Sequence, residues 1–185
     1  MTLFRMIALT AVSAPALILM ACSQAPAPAA QTVEAPVEAP AAAPAVEAPV
    51  APVVPASVFA NADGIAINGY DPVAYFTVGA PTQGVPEFQA AYNGATYYFA
   101  SEENRAAFEA EPAKFAPQYG GFCAYGAVFG KKFETQPDAW YVQDGKLYLN
   151  KDKGVQAEWS KDIPGNITKA DGQWPAIAEV PAANL

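Results

Sequence analysis

Residues 24–56 limit what this chain can fold into, because the segment is built almost entirely from Ala, Pro, Val, Glu and Gln. It contains no aromatic residue, no Leu and no Ile, so it lacks the apolar surface that would offset the entropy of ordering. The frequent prolines favour extended polyproline II, which acts as a semi-rigid spacer. We therefore expect a disordered tether over residues 22–56, one folded domain over residues 57–178 and a tail at 179–185.

The segment before the tether has the pattern of an export signal. Arg5 is followed by an apolar run at residues 6–20, which is typical of a secretory signal peptide. The run is too short for a membrane-spanning helix, and it contains an Ala-Pro pair. We therefore expect residues 1–21 to be a signal peptide.

The end of this segment is similar to the bacterial lipobox. Leu19, Met20 and Ala21 precede Cys22, and this similarity implies that Cys22 is lipidated after cleavage. Several acyl chains on one residue give firm membrane anchoring. Ser23 stands where an Asp would hold such a lipoprotein at the inner membrane, so we expect an outer membrane lipoprotein with its domain in the periplasm. An ordinary cleaved signal with a chance cysteine is the alternative.

The side chains available for chemistry are few. The chain has no histidine, and its methionines all lie in the first twenty residues, within the predicted signal. Imidazole bases, Ser-His-Asp triads, thiol clusters and thioether copper sites are therefore excluded from the exported form. Carboxylates such as Glu87, Asp138 and Glu158 remain for hydrolysis, but no spacing singles out a pair. The sequence predicts a protein that is not an enzyme and carries no cofactor.

The charge distribution bears on the partners. The net charge is −8, and the one basic doublet is Lys131-Lys132. A negative chain without a Lys/Arg cluster argues against nucleic acid. We therefore expect contact with the membrane through the lipid anchor and, as a possible partner, another envelope protein.

Two β-hairpins are predicted from apolar or aromatic runs joined by Asn-Gly or Asp-Gly, the turn residues that favour tight hairpins. The hairpins comprise residues 88–92 with 96–99 around Asn93-Gly94, and residues 139–142 with 146–149 around Asp144-Gly145. A further short strand is predicted at residues 64–69, between turn glycines. These elements favour antiparallel pairing.

Short helices are predicted between and after the hairpins from capping residues and prolines. Asp71-Pro72 opens a short helix through Phe76, and Ser101 caps a helix that turns Ala106, Ala107 and Phe108 inward and stops near Glu111-Pro112. Phe115 and Tyr119 follow on a second short turn. Asn150 caps a helix bearing Val155 and Trp159, Pro164-Gly165 ends it, and a last short turn brings in Ile167 and Trp174. The predicted fold is α+β, a small single domain of short antiparallel hairpins with interspersed short helices.

Several segments in this order resemble the YHS domain. The chain is similar in particular to the YHS-domain lipoproteins and exported proteins of Gram-negative bacteria. The similar segments are residues 70–75, 92–94, 97–103, 108–115, 118–125 and 162–167.

The resemblance also implies where a metal would bind. The metal-binding members of the family place one cysteine just after Asp-Pro-Val and two more flanking the start of the helix. This chain has Ala74, Ala100 and Asn104 at those places, and Tyr-Asn-Gly at residues 92–94 where the family has Tyr-His-Ser. The resemblance therefore implies the fold without the thiolate metal site.

Cys123 is the remaining thiol of the predicted domain, and it lies in a glycine-rich turn. Three interpretations stay open: a small buried core residue, a redox-active or partner-linked thiol in an oxidising compartment, and a ligand for copper or another soft metal. One sulfur is too few for a closed metal site.

Two tyrosines flank the same turn. Tyr119 and Tyr125 are candidates to line an apolar surface for a ligand or protein partner, together with Cys123. The sequence therefore predicts a non-enzymatic periplasmic binding or accessory module of unknown ligand. Copper handling, through Cys123, is the alternative that the family resemblance implies.

Overall fold

The structure is a computed structural model that describes residues 53–185. The predicted signal peptide, the lipidation residue Cys22 and nearly all of the predicted tether lie outside the described residues. Within them the fold is α+β, with two separate antiparallel hairpins and several short helices, as predicted. The elements are α1 (Ala74–Thr77), β1 (Val85–Tyr92), β2 (Ala95–Phe99), α2 (Glu102–Ala110), α3 (Pro112–Phe115), α4 (Ala124–Val128), β3 (Gln136–Gln143), β4 (Lys146–Asn150), α5 (Lys153–Trp159) and α6 (Ile163–Ile177).

Both predicted hairpins are confirmed, and their two-residue turns explain why. Asn93 and Gly94 have φ of 49° and 80°, and Asp144 and Gly145 have φ of 51° and 71°. Two successive left-handed residues match the right-handed twist of the strands on either side, and Asn, Asp and Gly adopt that conformation at low cost. Local turn chemistry therefore determines the pairing of β1 with β2 and of β3 with β4.

The helix after the first hairpin also begins as predicted. The Ser101 hydroxyl accepts a hydrogen bond from the Asn104 backbone N–H, and two acidic residues occupy the first turn of α2. Such a cap satisfies one of the free N–H groups at the helix start, and the carboxylates complement the helix dipole. Phe108 is buried, whereas Ala106 is exposed, so the prediction that Ala106 faces inward is wrong.

Other local predictions are also wrong. Residues 64–69 form isolated bridges and a tight 3-10 turn at Ile67–Gly69, not a strand. Asn150 ends β4, and Asp152 caps α5 in its place by accepting the Val155 N–H. Pro164 lies in the first turn of α6, where a missing N–H costs nothing.

The last helix is therefore much longer than predicted. It spans 15 residues where the sequence predicted a short turn around Ile167 and Trp174. Its buried face, which includes Ala170, packs with α4 and Trp159 in one of two hydrophobic clusters. The other cluster joins the first hairpin to α2, with the Phe108 ring centroid 5.1 Å from that of Phe99.

One buried lysine forms hydrogen bonds with backbone near both ends of the described segment. The Lys132 ammonium donates hydrogen bonds to the backbone carbonyls of Ala56, Ala178 and Val180, at 2.7, 2.7 and 2.8 Å. It also lies 5.3 Å from the ring centroid of Trp174. Burial lowers the pKa of Lys132, and the three carbonyls supply the acceptors that the buried ammonium needs.

None of the helices within residues 53–185 combines the length and the apolar character that crossing a membrane requires.

Candidate functional site

A fully buried carboxylate, that of Asp71, lies where the first helix meets the end of the first hairpin. Its Oδ1 accepts hydrogen bonds from the backbone N–H groups of Val73 and Ala74, at 2.8 and 3.3 Å. Its Oδ2 accepts from the backbone N–H of Ala100 at 2.9 Å and from the Asn104 Nδ2 at 2.6 Å. A carboxylate offers about four lone-pair sites, so these four bonds saturate it.

The structure brings together the places that the family resemblance assigns to metal-binding cysteines. Ala74, Ala100 and Asn104 each donate one of the hydrogen bonds to Asp71. A transition metal does not fit here, because the oxygens of Asp71 are already occupied and these three side chains offer no thiolate. In the described part of the chain, no three His, Cys, Asp or Glu side chains are placed to hold a metal ion.

The Cys123 sulfur caps the start of helix α4 and is 1% exposed. It accepts a hydrogen bond from the Gly126 N–H at 3.4 Å and lies 3.8 Å from the Asn150 Oδ1, which also accepts the Tyr125 N–H. Burial raises the pKa of the Cys123 thiol, although nearby backbone N–H groups act in the opposite direction. The thiol is therefore neutral, which makes it a poor nucleophile.

Cys123 and Tyr125 line the same open cavity, which has a volume of about 270 Å³ and is called here the Cys123 cavity. Two aromatic rings at its mouth are accessible to solvent, with Phe129 63% exposed and Phe133 45% exposed. The remaining lining residues are Gly126, Lys151 and Val155. Exposed aromatic residues beside an apolar cavity are typical of a surface that binds an apolar ligand or a partner.

Tyr119 lies apart from the Cys123 cavity. Its backbone has a φ of 53°, and its ring is buried against Tyr148 and Trp174. Its hydroxyl donates to the Asp171 carboxylate at 2.9 Å. Burial, together with this bond, raises the pKa of Tyr119, so the hydroxyl remains a donor. Tyr119 lines a different cavity of about 260 Å³, with Tyr97 and Trp174 among its neighbours.

Sequence reasoning therefore predicted two residues of the Cys123 cavity and missed the others. Phe129 and Phe133 follow the glycine turn closely in sequence. Their aromatic character and this proximity could have indicated that they line the cavity. Lys151 and Val155 come from the far end of the second hairpin and from α5, so no local pattern connects them with Cys123. Asn150, predicted as a helix cap, instead bonds the backbone of α4.

The fold and the Asp71 site define a small α+β domain in which a hydrogen-bonded carboxylate joins α1 to α2. Comparison with known families detects a YHS domain at residues 73–119, which runs from the start of α1 to Tyr119. No curated protein and no solved structure matches the chain. A YHS domain is thus present, and the Cys123 cavity includes residues that follow the matched segment.

Replacing the buried carboxylate of Asp71 by a carboxamide tests its structural role. In Asp71→Asn, one oxygen becomes an NH₂ group that faces N–H donors and accepts none of their hydrogen bonds. Lost charge-assisted bonds and unsatisfied donors are expected to cost about 3 kcal/mol of unfolding free energy. Urea unfolding of the full chain measures the change.

Asp152→Asn is the matched control. Asp152 accepts one hydrogen bond, from the Val155 N–H at 2.9 Å, and Asn is an equally good helix cap. We expect a change below about 0.5 kcal/mol. Equal effects of the two substitutions would show that the Asp71 bonds do not carry the stability assigned to them.

Proposed function

We propose that this chain is a membrane-anchored lipoprotein of the bacterial envelope, whose YHS-like domain is a non-enzymatic binding or accessory module in the periplasm. The lipobox-like sequence before Cys22 and the Pro-rich segment after it support the anchoring and the location. The scarcity of nucleophilic and imidazole side chains supports a binding role over catalysis. The finding of a YHS domain is consistent with an accessory module.

The observation that carries the binding role is the Cys123 cavity. It is apolar and open, and it lies beside two solvent-exposed aromatic rings, those of Phe129 and Phe133. An apolar cavity of about 150 Å³ holds a benzene molecule, and this one has about 270 Å³. Burying a ligand there would remove apolar surface from water at about 25 cal/mol per Å².

A neutral apolar dye such as Nile red is expected to bind the full chain saturably, with one dye per protein molecule. Phe133→Ala removes a wall of the cavity and should weaken binding by about fivefold to tenfold, since one aromatic ring contributes about 1 kcal/mol or more. Fluorescence titration measures the affinity. Val78→Ala is the control, because Val78 is exposed but does not line the cavity. Unsaturable binding, or an equal effect of both substitutions, would contradict a binding role for this cavity.

The two cysteines provide a matched test of the anchor. Cys22→Ser should abolish incorporation of labelled palmitate and move the protein from the membrane fraction to the soluble fraction of the cells. Cys123→Ser should leave both properties unchanged, because Cys123 is buried in the domain. Palmitate labelling and fractionation measure the two outcomes. Membrane retention of the Cys22→Ser protein would argue for an ordinary export signal or another anchor.

Copper handling is the second candidate function, and the detected YHS domain is the observation that favours it. Binding through Cys123 would require the buried thiol to lose its proton, which its raised pKa opposes. We therefore expect no stoichiometric Cu(I) binding when the full chain with Cys22→Ser is titrated against a chromophoric competitor. One Cu(I) per chain, lost on further substitution Cys123→Ala, would favour copper handling instead.

A further inference from the structure

We propose that the Cys123 cavity binds a small anionic amphiphile, an aryl or medium-length acyl chain ending in a carboxylate, with the chain inside the cavity and the carboxylate at Lys151. This inference rests on the proposed binding function and adds the chemical class of the ligand. It is carried by three features of the cavity: an apolar wall, an uncharged floor and a cation at the rim.

The wall is made of carbon-rich side chains. Tyr125, Phe129, Phe133 and Val155 surround the space, and the Tyr125 and Phe129 rings pack edge to face with centroids 5.2 Å apart. The volume of about 270 Å³ suits a phenyl ring with a short side chain, or a folded acyl chain. The cavity therefore favours a hydrocarbon group over a strongly hydrated one.

The floor carries no charge. Cys123 is 1% exposed, and burial raises the pKa of its thiol, so the sulfur stays protonated. Its S–H has an acceptor in the Asn150 Oδ1 at 3.8 Å, and its lone pairs accept the Gly126 N–H. A thiol with these partners presents a polarisable, neutral surface to a ligand.

The cation beside the cavity is Lys151, which also lines a neighbouring cavity of about 150 Å³ together with Glu134 and Asp152. Among the lining residues in the described part of the chain, Lys151 alone is charged, and its ammonium lies 5.6 Å from the Phe133 ring centroid. The ion pairs found within residues 53–185 involve other basic residues. The adjacent acid, Asp152, uses Oδ1 to accept the Val155 N–H. Lys151 is thus placed to meet an anionic head group while its aliphatic stem borders the cavity.

The negative charge of the whole chain makes a preference for an anionic ligand informative about the local contact with Lys151. With a net charge of −8, the overall field favours a cationic amphiphile over an anionic one of equal length. Stronger binding of the anion must therefore come from a local contact.

Three ligands of equal chain length separate the contributions: decanoate, decanol and decyltrimethylammonium. Each competes with Nile red on the full chain, below its critical micelle concentration. We expect decanoate to bind best, decanol next and the cation worst. Lys151→Gln should weaken decanoate by about threefold to tenfold and leave decanol unchanged, as expected for a partly exposed ion pair.

Two matched controls locate the effect. Lys146→Gln makes the same charge change at the other end of β4 and should leave decanoate binding unaltered. In Gly126→Ala, the new Cβ would lie 2.8 Å from the Phe133 ring and should weaken both decanoate and decanol, whereas Gly172→Ala adds a methyl in open space and should weaken neither.

Five outcomes would overturn the inference. Equal binding of decanoate and decanol would contradict the preference for an anionic head group, and so would the absence of any effect of Lys151→Gln. Either result would leave the proposed binding function standing. Unchanged binding in Gly126→Ala would place the ligand elsewhere. Dimerisation through Phe129 in analytical ultracentrifugation, with no displacement of the dye by any of the three compounds, would make the cavity mouth a protein contact. Absence of dye binding in the wild type would overturn the proposed role of this cavity as well.

Discussion

The buried carboxylate of Asp71 organises the first half of the domain. It lies at the junction between α1 and the end of the first hairpin, and it bonds backbone or side-chain N–H groups on both sides of that junction. A buried charge is tolerated only when its hydrogen-bonding capacity is filled, so the two chain segments must meet in one arrangement. That arrangement fixes where α2 begins, and hence where Phe108 packs on the aromatic face of the hairpin. The resemblance assigns these places to metal ligands, and here hydrogen bonds join the same segments.

Much of the fold could be predicted from the sequence because its turns and first helix are determined locally. Asn93-Gly94, Asp144-Gly145 and the Ser101 cap each act through residues at most three positions away. The predictions of helix boundaries and caps are wrong where contacts with residues distant in the sequence determine the structure. The Asn150 side chain accepts a hydrogen bond from the Tyr125 backbone, 25 positions away. Asp152 therefore caps α5 instead, by accepting the Val155 N–H. Pro164 fits either the end of one helix or the start of the next, and packing against α4 and Trp159 favours the start of α6.

The candidate site shows the same division between local and distant determinants. Tyr119 and Tyr125 are six residues apart and flank the same glycines, yet they line different cavities. The left-handed backbone at Tyr119 and Gly120, with φ of 53° and 60°, accompanies a sharp change of chain direction between them. Glycine at 120 is required there, because a Cβ would approach the Ser57 carbonyl oxygen far inside van der Waals contact. Lys151 joins the Cys123 cavity through the second hairpin, a tertiary relation that sequence spacing does not reveal.

The bonds of Lys132 have a mechanical consequence. Its ammonium links the Ala56 carbonyl, near the first described residues, to the carbonyls of Ala178 and Val180 just beyond the last long helix. Tension applied to the chain upstream of residue 53 would therefore be shared between these charge-assisted bonds and the contact of Pro55 with Gly94 in the turn of the first hairpin. A pull on the leading segment is thus transmitted to the C-terminal end of the domain, because one ammonium holds the backbone of both segments.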